Sequence, residues 1–254
     1  MKKEGKVTTI VEDGVATIVF YHPAHNSLPG YLLAELAEAI VHIGRREDVR
    51  VILLKSGGER TFCAGASFDE LVSIETEAEG KRFFMGFANV INACRSCGKI
   101  VVGRVQGKAV GGGVGLASAV DYCMATKYAS VKLSELAIGI GPFVVGPAVE
   151  RKVGLAPFSQ LTLNPEEWQT AAWAKDHGLF QEVFETTEQL DRYIDHFITK
   201  IKSYNPEALS ALKKILWQGT EHWDKLLEER AEVSGQLVLS DFTRSAIQKF
   251  KMRK

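Results

Sequence analysis

The sequence has no uninterrupted apolar run approaching the ~18 residues that a membrane-crossing helix needs, so no membrane span is expected. It has no surplus of either charge. Lys plus Arg number 31 and Asp plus Glu number 31, a balance that argues against a nucleic-acid partner, whose binders usually carry a basic excess. Cysteine is scarce: Cys63, Cys94, Cys97 and Cys123 are all there is. The opening MKKEGKVTTIVEDG is charged and lacks the apolar segment of a secretory signal, so a cytoplasmic chain with reduced thiols is expected. Cys94-x-x-Cys97 has the spacing of a redox or zinc pair. It has no second CxxC or HxxxH partner and falls at the end of a helical pattern, so core packing is the expectation. His22, His25, His42, His177, His196 and His222 are scattered, with no i, i+4 pair beside acids, and no metal site is expected. The nucleotide fingerprints fail as well. Gly107-Lys108 is followed by Ala109, not Ser or Thr. The glycine patterns that begin at Gly111 and Gly139 reach Leu116 and Val144 where a dinucleotide fingerprint needs its last glycine. There is no GxSxG nucleophile elbow.

What is present is an alternation of strands and helices. Val7–Val11 and Val15–Phe20 flank Asp13-Gly14 and predict a hairpin. Leu32, Leu33, Leu36, Ile40 and Ile43 keep a helical period, as do Phe83, Phe84, Phe87, Val90, Ile91 and Cys94. Strands are expected at Val49–Leu54, Ile100–Val105, Tyr122–Ala125 and Ser130–Leu133. The second of these is almost wholly apolar, as a strand covered on both faces would be. The alternation runs over about residues 1–185 and predicts an α/β architecture. From 186 to 254 helical spacing takes over, through Leu190, Ile194, Phe197 and Ile201, then Trp223, Leu226, Leu227, Val233 and Leu237. The last segment, SDFTRSAIQKFKMRK, holds five basic residues against one acidic. It is either a solvated tail or a contact for phosphates.

The most unusual stretch is GKAVGGGVGLASAVD, residues 107–121, with five glycines in nine positions. Each glycine costs roughly 0.5–1 kcal/mol against alanine inside a regular element, so another piece of chain or a ligand must approach this backbone closely. A strand leads in and a helix from about Gly113 leads out. The unpaired N–H groups at such a helix start can serve as half of an oxyanion hole. Tight helix–strand packing is the other explanation. TFCAGASFDE, residues 61–70, repeats the arrangement after Val49–Leu54, and two such turns could converge on one carbonyl oxygen.

FCAGASFDE, VQGKAVGGGVGLASAVDYCMA and YASVKLSELAIGIGP, with YHPAHNSL before them and WAKDHGLFQEVF after, together resemble the crotonase (enoyl-CoA hydratase/isomerase) superfamily over nearly the whole chain. The resemblance implies a spiral of ββα turns carrying the active site at 1–185. It implies a C-terminal helical region at 186–254 for trimerisation and CoA contact, in a homotrimer or a hexamer. The implied substrate is an acyl-CoA thioester whose enolate is held by the backbone N–H groups of Ala66 and Gly112. No separate cofactor is implied, since coenzyme A is part of the substrate. Ala64, Phe68, Gly111 and Phe143 fall at substrate-binding positions, with Phe84, Phe87 and Val144 as candidates for the acyl wall. Phe250 matches the family's CoA-contacting aromatic, with Lys249, Lys251 and Arg253 around it. The basic residue common after the first donor is absent, because Ser67, Phe68 and Asp69 stand there.

Hydratases of this family use two glutamates. The second matches Glu135; the first falls on Gly115, which cannot move a proton. The apolar neighbours Leu133, Leu136 and Ile138 are expected to raise the Glu135 pKa. One acid suffices to shift a double bond, so isomerisation is the favoured expectation. Hydration follows, including of branched or methylglutaconyl-type substrates, with Asp69 or Glu70 as the substitute acid. Decarboxylation or another enolate reaction comes third. A non-catalytic acyl-CoA-binding or scaffold protein is the rival of a different class.

Overall fold

The structure is a computed structural model that describes residues 4–251, with side chains through Lys249. The chain opens with a hairpin, β1 (Lys6–Glu12) and β2 (Val15–Tyr21), turned at Asp13 and Gly14 with both residues at positive φ. Helix α1 (Gly30–Gly44) follows. Three units of similar build come next. Each places one long strand in a six-stranded sheet, then one short strand in a second sheet, then a helical segment. The first is β3 (Val51–Ser56), β4 (Thr61–Cys63), α2 (Phe68–Val72) and α3 (Glu77–Ser96). The second is β5 (Ile100–Val105), β6 (Lys108–Val110) and α4 (Gly112–Ala119). The third is β7 (Tyr122–Thr126), β8 (Ser130–Lys132) and a 3-10 turn at Glu135–Ile138. This is the ββα spiral. Helices α5 (Gly146–Val153) and α6 (Leu155–Leu163), strand β9 (Gln169–Thr170), helix α7 (Ala171–Asp176) and strand β10 (Glu182–Phe184) complete the two sheets. Their orders are β1-β2-β3-β5-β7-β10 and β4-β6-β8-β9. Apart from the hairpin and the β8–β9 pair, neighbouring strands are parallel.

The apolar run at β5 has the expected cause. All six of its residues are buried, because helices cover both faces of the larger sheet. Ile52, Leu54, Val101 and Val105 face Leu36 and Ile40 of α1 and Val90 and Ile91 of α3. Val51, Leu53, Ile100 and Val102 alternate to the other side, against Leu190, Ile194 and Ile198 of α8 (Thr187–Ser203). Truncating any of these leucines or isoleucines to alanine costs roughly 2–5 kcal/mol.

Beyond α8 the described chain is helical: α9 (Pro206–Leu216), α10 (Trp223–Leu237) and α11 (Asp241–Lys251). Asp121 ties α9 to the sheet. One of its carboxylate oxygens accepts the Lys213 Nζ at 2.7 Å and the Val101 N–H at 2.7 Å, and the other accepts the Trp217 Nε1–H at 2.6 Å. Both members of this ion pair are buried, so removing either partner strands a charge. Cys63, Cys94, Cys97 and Cys123 are free and buried. Burial raises all four thiol pKa values, with Cys63 and Cys123 pushed up to about 12. Cys94 and Cys97 therefore act as packing groups at the end of α3. Among the described residues no helix is long and apolar enough to cross a membrane.

Candidate active site

The first turn links β4 to α2, and the strand itself is too short to show a period. Gly65 stands at φ +89, which a side chain would disfavour. Around it nearly every polar group is engaged. The Ala64 N–H donates to the His25 carbonyl at 3.2 Å, and the Leu28 N–H donates to the Gly65 carbonyl at 2.8 Å. The Ser67 N–H donates to the Leu28 carbonyl at 3.1 Å. The Ser27 hydroxyl donates to the Ala66 carbonyl at 3.2 Å. The Ser67 hydroxyl caps α2 by accepting the Glu70 N–H at 3.4 Å. The Ala66 N–H is left over, with no acceptor among the described residues.

The second turn links β6 to α4. Gly111 (φ 52, ψ −116) reverses the chain. Its N–H donates to the Lys132 carbonyl at 2.8 Å, and its own carbonyl accepts the N–H groups of Val114 and Gly115. Here the N–H groups of Gly112 and Gly113, at the start of α4, are left with no acceptor among the described residues. The glycines now have a physical reason. A Cβ on Gly112 would stand 2.2 Å from the Phe87 ring, and one on Gly113 would stand 2.4 Å from the Cys63 carbonyl oxygen. A Cβ on Gly65 would stand 3.0 Å from the Val110 carbonyl oxygen and 3.7 Å from the Gly112 nitrogen. The two turns pack backbone against backbone, and the unpaired amides of Ala66 and Gly112 belong to adjoining segments.

A cavity of about 1160 Å³ opens on both turns, larger than the roughly 300–1,000 Å³ usual for small ligands. Ala64, Ala66, Phe68, Gly111, Gly112, Glu135 and Phe143 all line it, as do Phe84, Phe87 and Val144. The terminal helix α11 adds Asp241, Phe242 and Lys249 from the same chain. The side chains of Phe250 and Lys251, and all of Arg253, lie outside the described residues.

Glu135 begins the 3-10 turn. A Cβ on Gly111 would stand 2.8 Å from its Oε1, so the carboxylate lies directly against the second turn. Its Oε2 is buried with no hydrogen-bond partner among the described residues. Burial raises the pKa to about 7, while the backbone amides of Glu135 and Ser134 pull it down. Only part of this comes from the three neighbours named above. Leu133 is buried, but Leu136 is 42% exposed and turns away.

A profile of the family described as enoyl-CoA hydratase/isomerase matches residues 11–252. The chain belongs to this family. It is 27% identical to the peroxisomal Delta(3,5)-Delta(2,4)-dienoyl-CoA isomerase of Arabidopsis thaliana, over 96% of this chain and 92% of that protein. It is 28% identical to the short-chain-enoyl-CoA hydratase of Clostridium acetobutylicum, over 98% of this chain and 93% of that protein. The fold superposes on the crystal structure of enoyl-CoA hydratase from Bacillus halodurans with a TM-score of 0.88, at 22% identity, covering 96% of this chain and 99% of that one. An isomerase and a hydratase thus match at nearly the same identity. The choice between the family's chemistries falls to the residues in the cavity.

Two positions matter within the enoyl-CoA hydratase/isomerase pattern. A Cβ on Gly115 would stand 2.5 Å from Val145 Cγ1, so Val145 packs against the backbone where a side chain at this position would begin. Glu70, one of the two substitute acids, is engaged elsewhere: its Oε2 accepts the Gly30 N–H at 2.8 Å at the start of α1. Asp69 is exposed and lines the cavity. Sequence reasoning missed Lys132 and Trp168, which also line it. They sit on or beside strands of two or three residues, too short to carry a periodic signal.

Proposed function

We propose that the chain is an enoyl-CoA isomerase, moving the double bond of an acyl-CoA thioester between the 3,4 and 2,3 positions. The thioester oxygen accepts the Ala66 and Gly112 N–H groups. Glu135, ionised, takes a proton from C2 of the 3-enoyl group. The C–H electron pair forms a C1–C2 double bond and the carbonyl pair moves onto oxygen, giving a dienolate whose charge the two amides stabilise. The protonated glutamic acid then returns the proton to C4, leaving the double bond at C2–C3. A pKa of about 7 suits a group that must be base and then acid at neutral pH. No metal or separate cofactor enters these steps. The observation that carries the reading is the Glu135 carboxylate against the glycine turn, where position 115 holds a glycine packed on Val145.

Hydration is the second reading. Asp69, exposed at the cavity wall, is what favours it, as a group that could hold a water. The deciding experiment assays the purified protein with 2-enoyl- and 3-enoyl-CoA thioesters of several lengths. Double-bond migration outrunning hydration, and abolished in Glu135→Gln, is expected. Faster hydration would overturn the isomerase reading, and acyl-CoA binding with no turnover of any thioester would favour the scaffold role. We also propose self-association as a homotrimer or a dimer of trimers. Exposed Leu212, Ile215 and Leu216 on α9 support it, and sedimentation would measure it.

A further inference from the structure

Lys132 Nζ lies 4.7 Å from the centroid of the Trp168 ring, and Lys108 Nζ lies 5.1 Å from the same centroid. Strand pairing explains the convergence. Val110 of β6 stands opposite Lys132 of β8, and Lys108 is two residues before Val110, hence on the same face. Val131 stands opposite Gln169 of β9, which sets Trp168 beside Lys132. Trp168 and Lys132 both line the cavity. Among the described residues neither lysine forms an ion pair. Glu166 lines the same cavity but is exposed and bridges to neither. Two ammonium groups therefore approach one aromatic ring, neither with an ion-pair partner among the described residues, and of the two lysines it is Lys132 that lines the cavity. Like charges held this close favour an incoming anion.

The position of Lys132 says which anion. Its carbonyl holds the Gly111 N–H at 2.8 Å, and Glu135 follows three residues later. Lys132 is thus fastened to the elements that hold the reacting end of the ligand. Lys249, by contrast, enters the cavity from the terminal helix. We infer that Lys132, steadied on Trp168 together with Lys108, receives a carboxylate at the far end of the acyl group, so that the substrate is a short dicarboxylic enoyl thioester. This rests on the acyl-CoA reading above and narrows it.

The test compares glutaryl-CoA with pentanoyl-CoA, two saturated thioesters of equal chain length, by titration calorimetry. The wild-type protein is expected to bind glutaryl-CoA at least about tenfold more tightly. Lys132→Gln should bring the ratio near one, and Lys132→Arg should keep it. Equal binding by the wild type overturns the inference and needs no variant. So does a ratio that survives in Lys132→Gln, the result expected if the lysine serves the phosphates of CoA and weakens both ligands alike. Neither ligand turns over, so absence of isomerase activity leaves this result intact. Failure of both thioesters to bind overturns the acyl-CoA reading and this inference with it.

Discussion

The turn that offers the Gly112 amide and the turn that offers the Ala66 amide are held by different means. All eight residues of α4 are buried, and its glycines are in contact with Phe87, Cys63 and Val145. Helix α2 has five residues and buries only Leu71. Its turn is held by discrete hydrogen bonds, to Leu28, His25, Ser27 and the Ser67 cap. One donor is fixed by close packing, which yields only at the cost of overlap. The other is fixed by directional bonds, each of which can be removed singly. Two adjoining turns, each with an unpaired amide, are thus held by unlike physics.

Replacing single peptide N–H groups by ester oxygens would sharpen the contrast most. Because the Ala66 and Gly112 amides have no acceptor among the described residues, each ester should lower kcat roughly 10²–10³-fold, about 2.7–4 kcal/mol, with little change in the thermal midpoint. Equal rates for ester and amide would show that the donors do not act. Packing at the second turn comes next. Gly113→Ala sets a methyl against the Cys63 carbonyl and should destabilise by about 1–3 kcal/mol, read by urea denaturation. A neutral result would mean that the turn is looser than its contacts indicate. Glu135 gives a comparison by pH. Its folded pKa of about 7 lies above the ordinary 4.5, so the folded state binds the proton more tightly. Stability from this group is full below pH 4.5 and declines as pH rises towards and past 7. Glu135→Gln should therefore raise stability at pH 8 by something on the order of 2 kcal/mol, while the wild-type kcat/KM climbs through pH 7 as the base ionises. The smallest effect belongs to the first turn: Ser67→Ala removes one cap and should cost about 1 kcal/mol, visible as a small shift in Tm.

The features of this candidate site that were legible are those whose cause is local. Glycines at positive φ, the small residues of each turn, and Glu135 following a short strand are recorded in adjacent positions. So were the α/β class, the doubly covered β5 and the helical end of the chain. What escaped depends on residues far apart in sequence. Gly115 could be seen to lack an acid, but not that Val145 packs against it. Glu70 looked available as a substitute acid until the start of α1, forty residues earlier, was found to hold it. Strands β4, β6 and β9 have two or three residues each, and only their pairing reveals them. Lys132 and Trp168 meet through that pairing, and neither carries a local mark of the other.

The chain's own last helix forms part of the cavity wall, with Phe242 and Thr243 lying where a side chain on Gly139 would have to go. Substitutions on the last helix would therefore reshape the cavity from a region remote in sequence from the glycine turns.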